Sequence, residues 1–232
     1  MTLKFFSQQR AVPICLLILA VLVSFYDVVF LGKTLKVSTT NSQAVPGHAY
    51  GQENNKLRFL PVHGTDSPVQ EEPIYEFIKQ SIKQGIWPLW NPHQACGYPL
   101  FAMLEVGMYF PLNFILYLVH EQYSWDILIL LRIFLAGFLM YWLMRELGLT
   151  RTAALGSGLA FMLSGPFILI QFWTINVDIL LPLIIIAVNR VCLRANVSNL
   201  IFLALAVFLS VLAGHPEHVF LINAYGIFFF LF

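Results

Sequence analysis

The sequence predicts an all-α, multi-pass membrane protein: a helix bundle whose long first outer loop carries short interfacial helices. Three observations carry that expectation. Of 232 residues, 59% are hydrophobic, 15% aromatic and only 11% charged, whereas a soluble domain is about 45–50% apolar and about 25% charged. Apolar runs recur at Ala11–Leu31, Trp125–Leu147, Thr152–Phe172, Ile175–Leu193 and Val197–Ala213, and again from His218. The basic residues beside them segregate to one side once the runs are counted as spans. A net charge of +1 gives no global field, and no nucleic-acid partner is expected.

Residues 1–31 read as an anchor. Lys4 and Arg10 precede Ala11–Leu31, an apolar run of about 20 residues, which is long enough to span. No small-x-small cleavage site follows in SFYDVVFLGK, so the segment is expected to stay attached. Asp27 falls roughly a turn from its outer end.

Residues 32–124 read as one outer loop. Leu35–Leu60 is polar without helical period and has room for short strands. GTDSPVQEEP then leads into Ile74–Gln84, where Ile74, Phe77, Ile78 and Ile82 share one helical face. Pro73 suits the first turn, Glu71 and Glu72 the positive end, Lys79 and Lys83 the negative end, and Gly85 the stop. An interfacial helix with its apolar face on lipid or protein is expected. In GIWPLWNPHQACGYPL, the aromatics Trp87, Trp90 and Tyr98 read as an interfacial belt stiffened by Pro88, Pro92 and Pro99. They either anchor the loop or stack on a sugar or prenyl group.

Tyr98–Val119 is apolar but carries Glu105, Gly107 and Pro111, which argue against a continuous helix. Charge decides the count. If this stretch does not span, Lys4, Arg10, Arg145, Arg151, Arg190 and Arg194 share a face; if it does, the last four change sides. The positive-inside rule favours the first arrangement, with the N-terminus cytoplasmic and Tyr98–Val119 as a pair of interfacial or re-entrant helices. All six histidines and every acid except Glu146 then lie on or towards the outer face.

Residues 125–232 form the expected bundle. Its final apolar run ends at FFFLF with too little length to span, so the chain is expected to be the N-terminal part of a larger protein. NVS at Asn196–Ser198 matches a glycosylation sequon but falls on the cytoplasmic side.

Candidate chemistry collects on the outer face. Asp27, Asp178 and Glu217 end spans there, and Asp66 and Glu72 hang from the loop above. Converging carboxylates suit a general base, a clamp for a divalent metal ion, or both, and the alternative is a set of solvated end residues. Arg132 lies about two turns, roughly 10 Å, inside the second span. A charge there costs about 2.5–3.5 kcal/mol on insertion scales, so it needs a partner. Either a bundle acid such as Asp27 pairs with it, or it holds a lipid phosphate. In GHPEH, Pro216 is expected to break the backbone and present His215 and Glu217 to an outer cavity for sugar hydroxyls; the spacing fits no zinc pattern. Cys15, Cys96 and Cys192 suit neither a disulfide framework nor a metal site and read as packing thiols.

Asp27, Asp66 with Pro68 and Gln70 in TDSPVQEEP, GIWPLWNP, GYPLFA, YFPLN and GHPE occur in an order and spacing that resemble the YfhO-like bacterial membrane proteins. Those are relatives of the C-type (GT-C) polyprenyl-phosphate-dependent glycosyltransferases, and the resemblance covers most of the chain. It implies a GT-C-like bundle whose first outer loop roofs the active site. It implies transfer of a sugar from a polyprenyl-phosphate carrier to an envelope polymer or lipid acceptor at the outer face of the bacterial cytoplasmic membrane. Asp66 or Asp27 is then the carboxylate that acts as base or orients the acceptor, with Asp66 preferred because Pro68 holds it in a reachable turn. Arg132, Gln70, Trp90, Asn91, His215 and Glu217 are the expected substrate-binding residues. Members of the superfamily usually have more spans than this chain. A transporter or flippase of a lipid-linked substrate, or an inactive fragment, are the competing readings; no internal repeat supports the transporter.

Overall fold

The computed structural model describes residues 11–36, 70–94, 96–169 and 174–231. Among the described residues every regular element is helical, apart from one antiparallel bridge between Asn91 and Tyr98. Most of Leu35–Leu60, where short strands were expected, and Asp66 lie outside the described residues.

The first apolar run forms α1 (Ala11–Ser24) and α2 (Tyr26–Phe30), separated by a turn at Phe25 whose amide still donates to Val21 O at 3.0 Å. The expected amphipathic helix is α3, Glu72–Lys83, with Pro73 in its first turn. Gly85, at φ 72°, stops it just past the end. Tyr98–Val119 does not run as one helix. It breaks into three single 3₁₀ turns, Leu100–Ala102, Leu104–Val106 and Pro111–Asn113, followed by α4, Phe114–Leu118. Pro99 and Pro111 withhold amide donors and Gly107 turns left-handed, so no continuous ladder forms.

The bundle begins with α5, Glu121–Glu146, whose 26 residues make about 39 Å of helix. Next come α6 (Arg151–Met162) and α7 (Gly165–Leu169). Thr152–Phe172 was expected to be one span, but the helix breaks at Leu163–Ser164 ahead of Gly165–Pro166. At about 18 Å, α6 alone falls short of a hydrocarbon core of about 30 Å. Two short helical runs then follow, α8 (Thr174–Asp178) and α9 (Leu181–Leu193), jointed at Ile179–Leu180 ahead of Pro182. The described part closes with α10 (Val197–Leu212) and α11 (Pro216–Phe228). Two stretches are long and apolar enough to cross a membrane, Tyr123–Glu146 in α5 and Thr174–Leu193 across α8 and α9.

Small residues set the helix crossings by letting the backbones approach closely. α5 and α6 pack along Ala136, Gly137, Ala154 and Gly158, so closely that a Cβ on Gly158 would lie 2.8 Å from Gly137 O. α11 meets α9 at Gly226, where a Cβ would lie 2.6 Å from Ile184 Cγ2. α9 is central and packs on α5, α10 and α11. The core they share is Leu17, Val21, Ile129, Ile133, Met162, Ile175, Ile184 and their neighbours, and Phe110 reaches down into it from the loop.

The far end of α5 is closed by charge and aromatics. Arg190 pairs with Glu146, which also accepts from Trp142 Nε1 at 3.1 Å, and its guanidinium lies 5.4 and 5.1 Å from the Trp142 and Phe202 ring centroids. Asn196 of the NVS sequon caps α10, its side-chain oxygen accepting from Asn199 N at 2.8 Å. The three cysteines are exposed rather than packed in the core, Cys96 at a left-handed φ of 59°.

Candidate functional site

The segment after α3 is folded onto the bundle, and it brings its own core. Ile74, Tyr75 and Ile78 of α3 are buried against Leu100, Val106, Met108, Leu116 and Tyr117 of the loop, and against Trp125 and Leu128 of α5. The Tyr75 and Trp125 rings meet edge to face at 5.7 Å. Lys79 is drawn in as well and donates to Val119 O at 3.3 Å. This core sits just above Arg132 on α5.

Beneath it lies a buried polar network centred on Asn113, which is 0% exposed. Its Oδ1 accepts from Arg132 Nη2 and from Asn176 Nδ2, each at 3.3 Å. Its Nδ2 donates to Gly107 O at 2.8 Å and to Tyr75 Oη at 3.1 Å, and Tyr75 in turn donates to Val106 O at 2.7 Å. Glu71 is buried beside them. Burial pushes the Tyr75 hydroxyl well above its ordinary 10.0; Arg132 opposes that rise and Glu71 adds to it, which places both charges around the phenol. One side chain therefore ties together α3, the Gly107 turn, α5 and α8.

Arg132 sits deeper than the sequence suggests. The helix starts at Glu121 rather than Trp125, so Arg132 is about 16 Å from its first residue. It is 3% exposed. The acid around it is Glu71 of the loop, not Asp27, because Asp27 pairs with Lys33 at the surface, its side chain 39% exposed.

A second seam joins the loop to the start of α11. His215 stands at φ 48° ahead of Pro216, and Gly214 at φ 94° is pressed on the loop. A Cβ on Gly214 would lie 2.6 Å from Glu105 O and 2.9 Å from Gly107 N, and one on Gly107 would lie 2.6 Å from Ala213 O. Only glycine allows backbone to meet backbone so closely, and a side chain at φ > 0 would add strain. Beside this contact His218 Nδ1 lies 2.8 Å from Asp178 Oδ1, and the His215 and His218 rings meet edge to face at 4.7 Å.

Of the carboxylates expected to converge, Asp66 lies outside the described residues, and three others have partners of their own. Asp27 takes Lys33, Asp178 takes His218, and Glu72 lies 3.8 Å from Lys36 Nζ. Asp126 accepts from Thr34 Oγ1 at 3.0 Å and Leu35 N at 2.6 Å, which pins the entry of the loop to α5. No three His, Cys, Asp or Glu side chains among the described residues group as a metal site.

The remaining candidates scatter. Gln70 is exposed just before α3, and Glu217 is exposed in the first turn of α11. Asn91 is buried in a local turn: it exchanges backbone bonds with Tyr98, donates to Tyr98 Oη at 3.0 Å and accepts from His93 N at 2.9 Å. Trp90 is exposed, and a Cβ on Gly97 would lie 2.7 Å from its Nε1. Ile86, Trp87, Leu89, Trp90 and Phe101 form an exposed apolar rim on the loop, the surface expected of an interfacial belt.

Sequence reasoning missed Tyr75, Asn113 and Asn176 and read Glu71 only as a helix-end charge. Asn113 closes the YFPLN motif and Asn176 interrupts an apolar run, which are the signals that mark them. The chain matches no protein-family model, no curated protein and no solved structure.

Proposed function

We propose that the chain is a multi-pass glycosyltransferase of the bacterial cytoplasmic membrane, with a cytoplasmic N-terminus and a GT-C-like bundle. On this reading the first long loop roofs a cleft at the outer face, where a sugar passes from a polyprenyl-phosphate carrier to an envelope polymer or lipid acceptor. One observation carries it: the loop is fastened to the bundle by the buried Asn113–Arg132–Asn176–Tyr75 network. A simple tether between spans needs no polar network in its base, whereas a roof over a reaction must be held in fixed geometry.

The chemistry breaks the sugar C1–O bond to phosphate, and the leaving phosphate keeps the electron pair. The acceptor oxygen bonds C1 and gives up its proton. Asp66 is the carboxylate assigned to direct the acceptor hydroxyl, since Asp27 is engaged by Lys33. Arg132, buried and bonded to Asn113, holds the roof rather than an open phosphate.

The test uses membrane vesicles supplied with a radiolabelled polyprenyl-phosphate hexose, following label into the acceptor fraction. Asp66→Asn is expected to insert normally and lower transfer by about 100-fold or more, and Asp27→Asn to retain most of it. Full transfer in both variants refutes the reading. Carrier movement across proteoliposomes without any transfer replaces it with a transporter.

A further inference from the structure

We propose that Asp178 and His218 form a carboxylate–imidazole dyad whose free nitrogen, His218 Nε2, takes the proton from the hydroxyl that reacts at this seam. The identity of that hydroxyl, the sugar acceptor, rests on the function proposed above; the dyad itself rests on geometry.

A carboxylate oxygen only accepts hydrogen bonds, so the 2.8 Å contact fixes the Asp178-facing nitrogen, Nδ1, as the protonated one. In the neutral ring the lone pair then sits on Nε2, and the carboxylate stabilises the imidazolium that forms when Nε2 takes a proton. Exposure fits that task. The side chains of His218 and Asp178 are 33% and 27% exposed, sheltered yet open to a substrate.

Position fits as well. Asp178 ends α8 and His218 lies in the first turn of α11, directly after the Gly214 contact with the Leu104–Gly107 turn. The dyad thus stands where roof meets bundle. His215 supports it from the side, ring against ring at 4.7 Å, and holds a left-handed backbone that a non-glycine residue adopts only under strain. Its Nδ1 is buried without a hydrogen-bond partner, a further polar atom at the seam for a hydroxyl-bearing group. A simple tie between two helices requires neither strain nor an unpaired nitrogen beside it.

The step balances within the transfer reaction. The acceptor O–H proton moves to His218 Nε2, the oxygen bonds C1, and the C1–O bond to phosphate breaks with its electron pair leaving on phosphate. Asp178 stays ionised throughout, and the proton later returns to solvent.

The first test needs no substrate. Nitrogen-labelled histidine NMR on the full chain in nanodiscs, with His218→Gln to assign the signal, is expected to find neutral His218 protonated at Nδ1 at neutral pH. A proton on Nε2, or a permanent imidazolium making a plain ion pair, overturns the proposal. The second test measures transfer. His218→Gln is expected to lower kcat by about 100-fold or more with KM for the lipid donor within about threefold and unchanged thermal stability. Undiminished kcat in His218→Gln also overturns the proposal. Where wild-type chain shows the Nδ1 tautomer but transfers no sugar, the dyad stands and the glycosyltransferase reading falls.

Discussion

Replacing Asn113 by Ala tests whether the polar network holds the roof down. The substitution removes four hydrogen bonds at once, to Arg132, Asn176, Gly107 and Tyr75. Tyr75 keeps Val106 and the Gly107 carbonyl keeps the Phe110 amide, so two buried groups lose their bond outright: the Asn176 amide and one Arg132 nitrogen. A buried polar group left unsatisfied costs about 1–3 kcal/mol, and the two 3.3 Å bonds belong at the low end of that range. The expected loss is about 2–3 kcal/mol, concentrated in loop docking. At 1.4 kcal/mol per tenfold, local opening becomes roughly 30- to 100-fold more frequent. The assay is hydrogen exchange in nanodiscs at the Gly107, Phe110 and Asn113 amides, which bond to Leu104, Gly107 and Phe110 carbonyls in the closed loop. The Ile184 amide, bonded to Leu180 O within the bundle, is the internal reference. Exchange in the loop rising less than about threefold, or rising equally at Ile184, refutes the idea that this network is what docks the loop. Asn113→Asp separates the two halves of the amide: it retains acceptors for Arg132 and Asn176 and loses the donors to Gly107 and Tyr75.

Gly158→Ala is expected to destabilise the bundle by about 1–3 kcal/mol, because its new Cβ meets the Gly137 carbonyl at 2.8 Å, while Gly156→Ala, with nothing within 4 Å, is expected to gain about 0.5–1 kcal/mol; thermal unfolding in detergent that ranks them the other way excludes the Gly137–Gly158 crossing. Burial raises the Tyr75 and Tyr117 hydroxyls above the ordinary 10.0, so each contributes stability that is full below that pH and is lost as pH rises through its own higher value. In an absorbance titration these two of the nine tyrosines should ionise last and together with loop opening; ionisation of all nine near pH 10.0 with the loop still closed contradicts their burial.

The parts of the fold that repeat along the chain were legible in the sequence. The period of Ile74, Phe77, Ile78 and Ile82 locates α3 to within two residues at its start and one at its end. Glu105, Gly107 and Pro111 announce a broken backbone. Helix breaks were harder, because Gly165–Pro166 and Pro182 sit inside runs whose hydropathy never falls. The polar site was least legible. Arg132 declares that it needs a partner, but nothing local distinguishes Asp27 from Glu71. The choice is made by the Ile74–Tyr75–Ile78 face, which carries Glu71 down onto α5 and leaves Asp27 to Lys33. Asn113 and Asn176 carry no charge and follow no period, so their meeting across 63 positions is visible only once the loop is folded.

The two ends of the bundle differ in how completely their polar groups are paired. At the far end of α5 the polar groups are mutually satisfied: Glu146 takes Arg190 and Trp142, and Asn199 donates to the carbonyls of Arg190 at 3.0 Å and Arg194 at 2.8 Å. Such an end is built for stability. Among the described residues, the buried side-chain atoms without a hydrogen-bond partner are Tyr109 Oη, Arg132 Nε, Asn176 Oδ1 and His215 Nδ1. Tyr109 lies in the loop, Arg132 and Asn176 belong to the network that meets it, and His215 precedes α11; none lies at the Arg190 end. Native proteins leave few buried polar atoms unpaired, because each costs about 1–3 kcal/mol. That cost falls on two places where the loop meets the bundle: Arg132 and Asn176 in the Asn113 network, and His215 beside Asp178 and His218. Packing alone would distribute or eliminate it. The proposed transfer would draw on such uncommitted donors and acceptors, and this asymmetry, more than any one residue, sets the loop-facing end apart from the rest of the bundle.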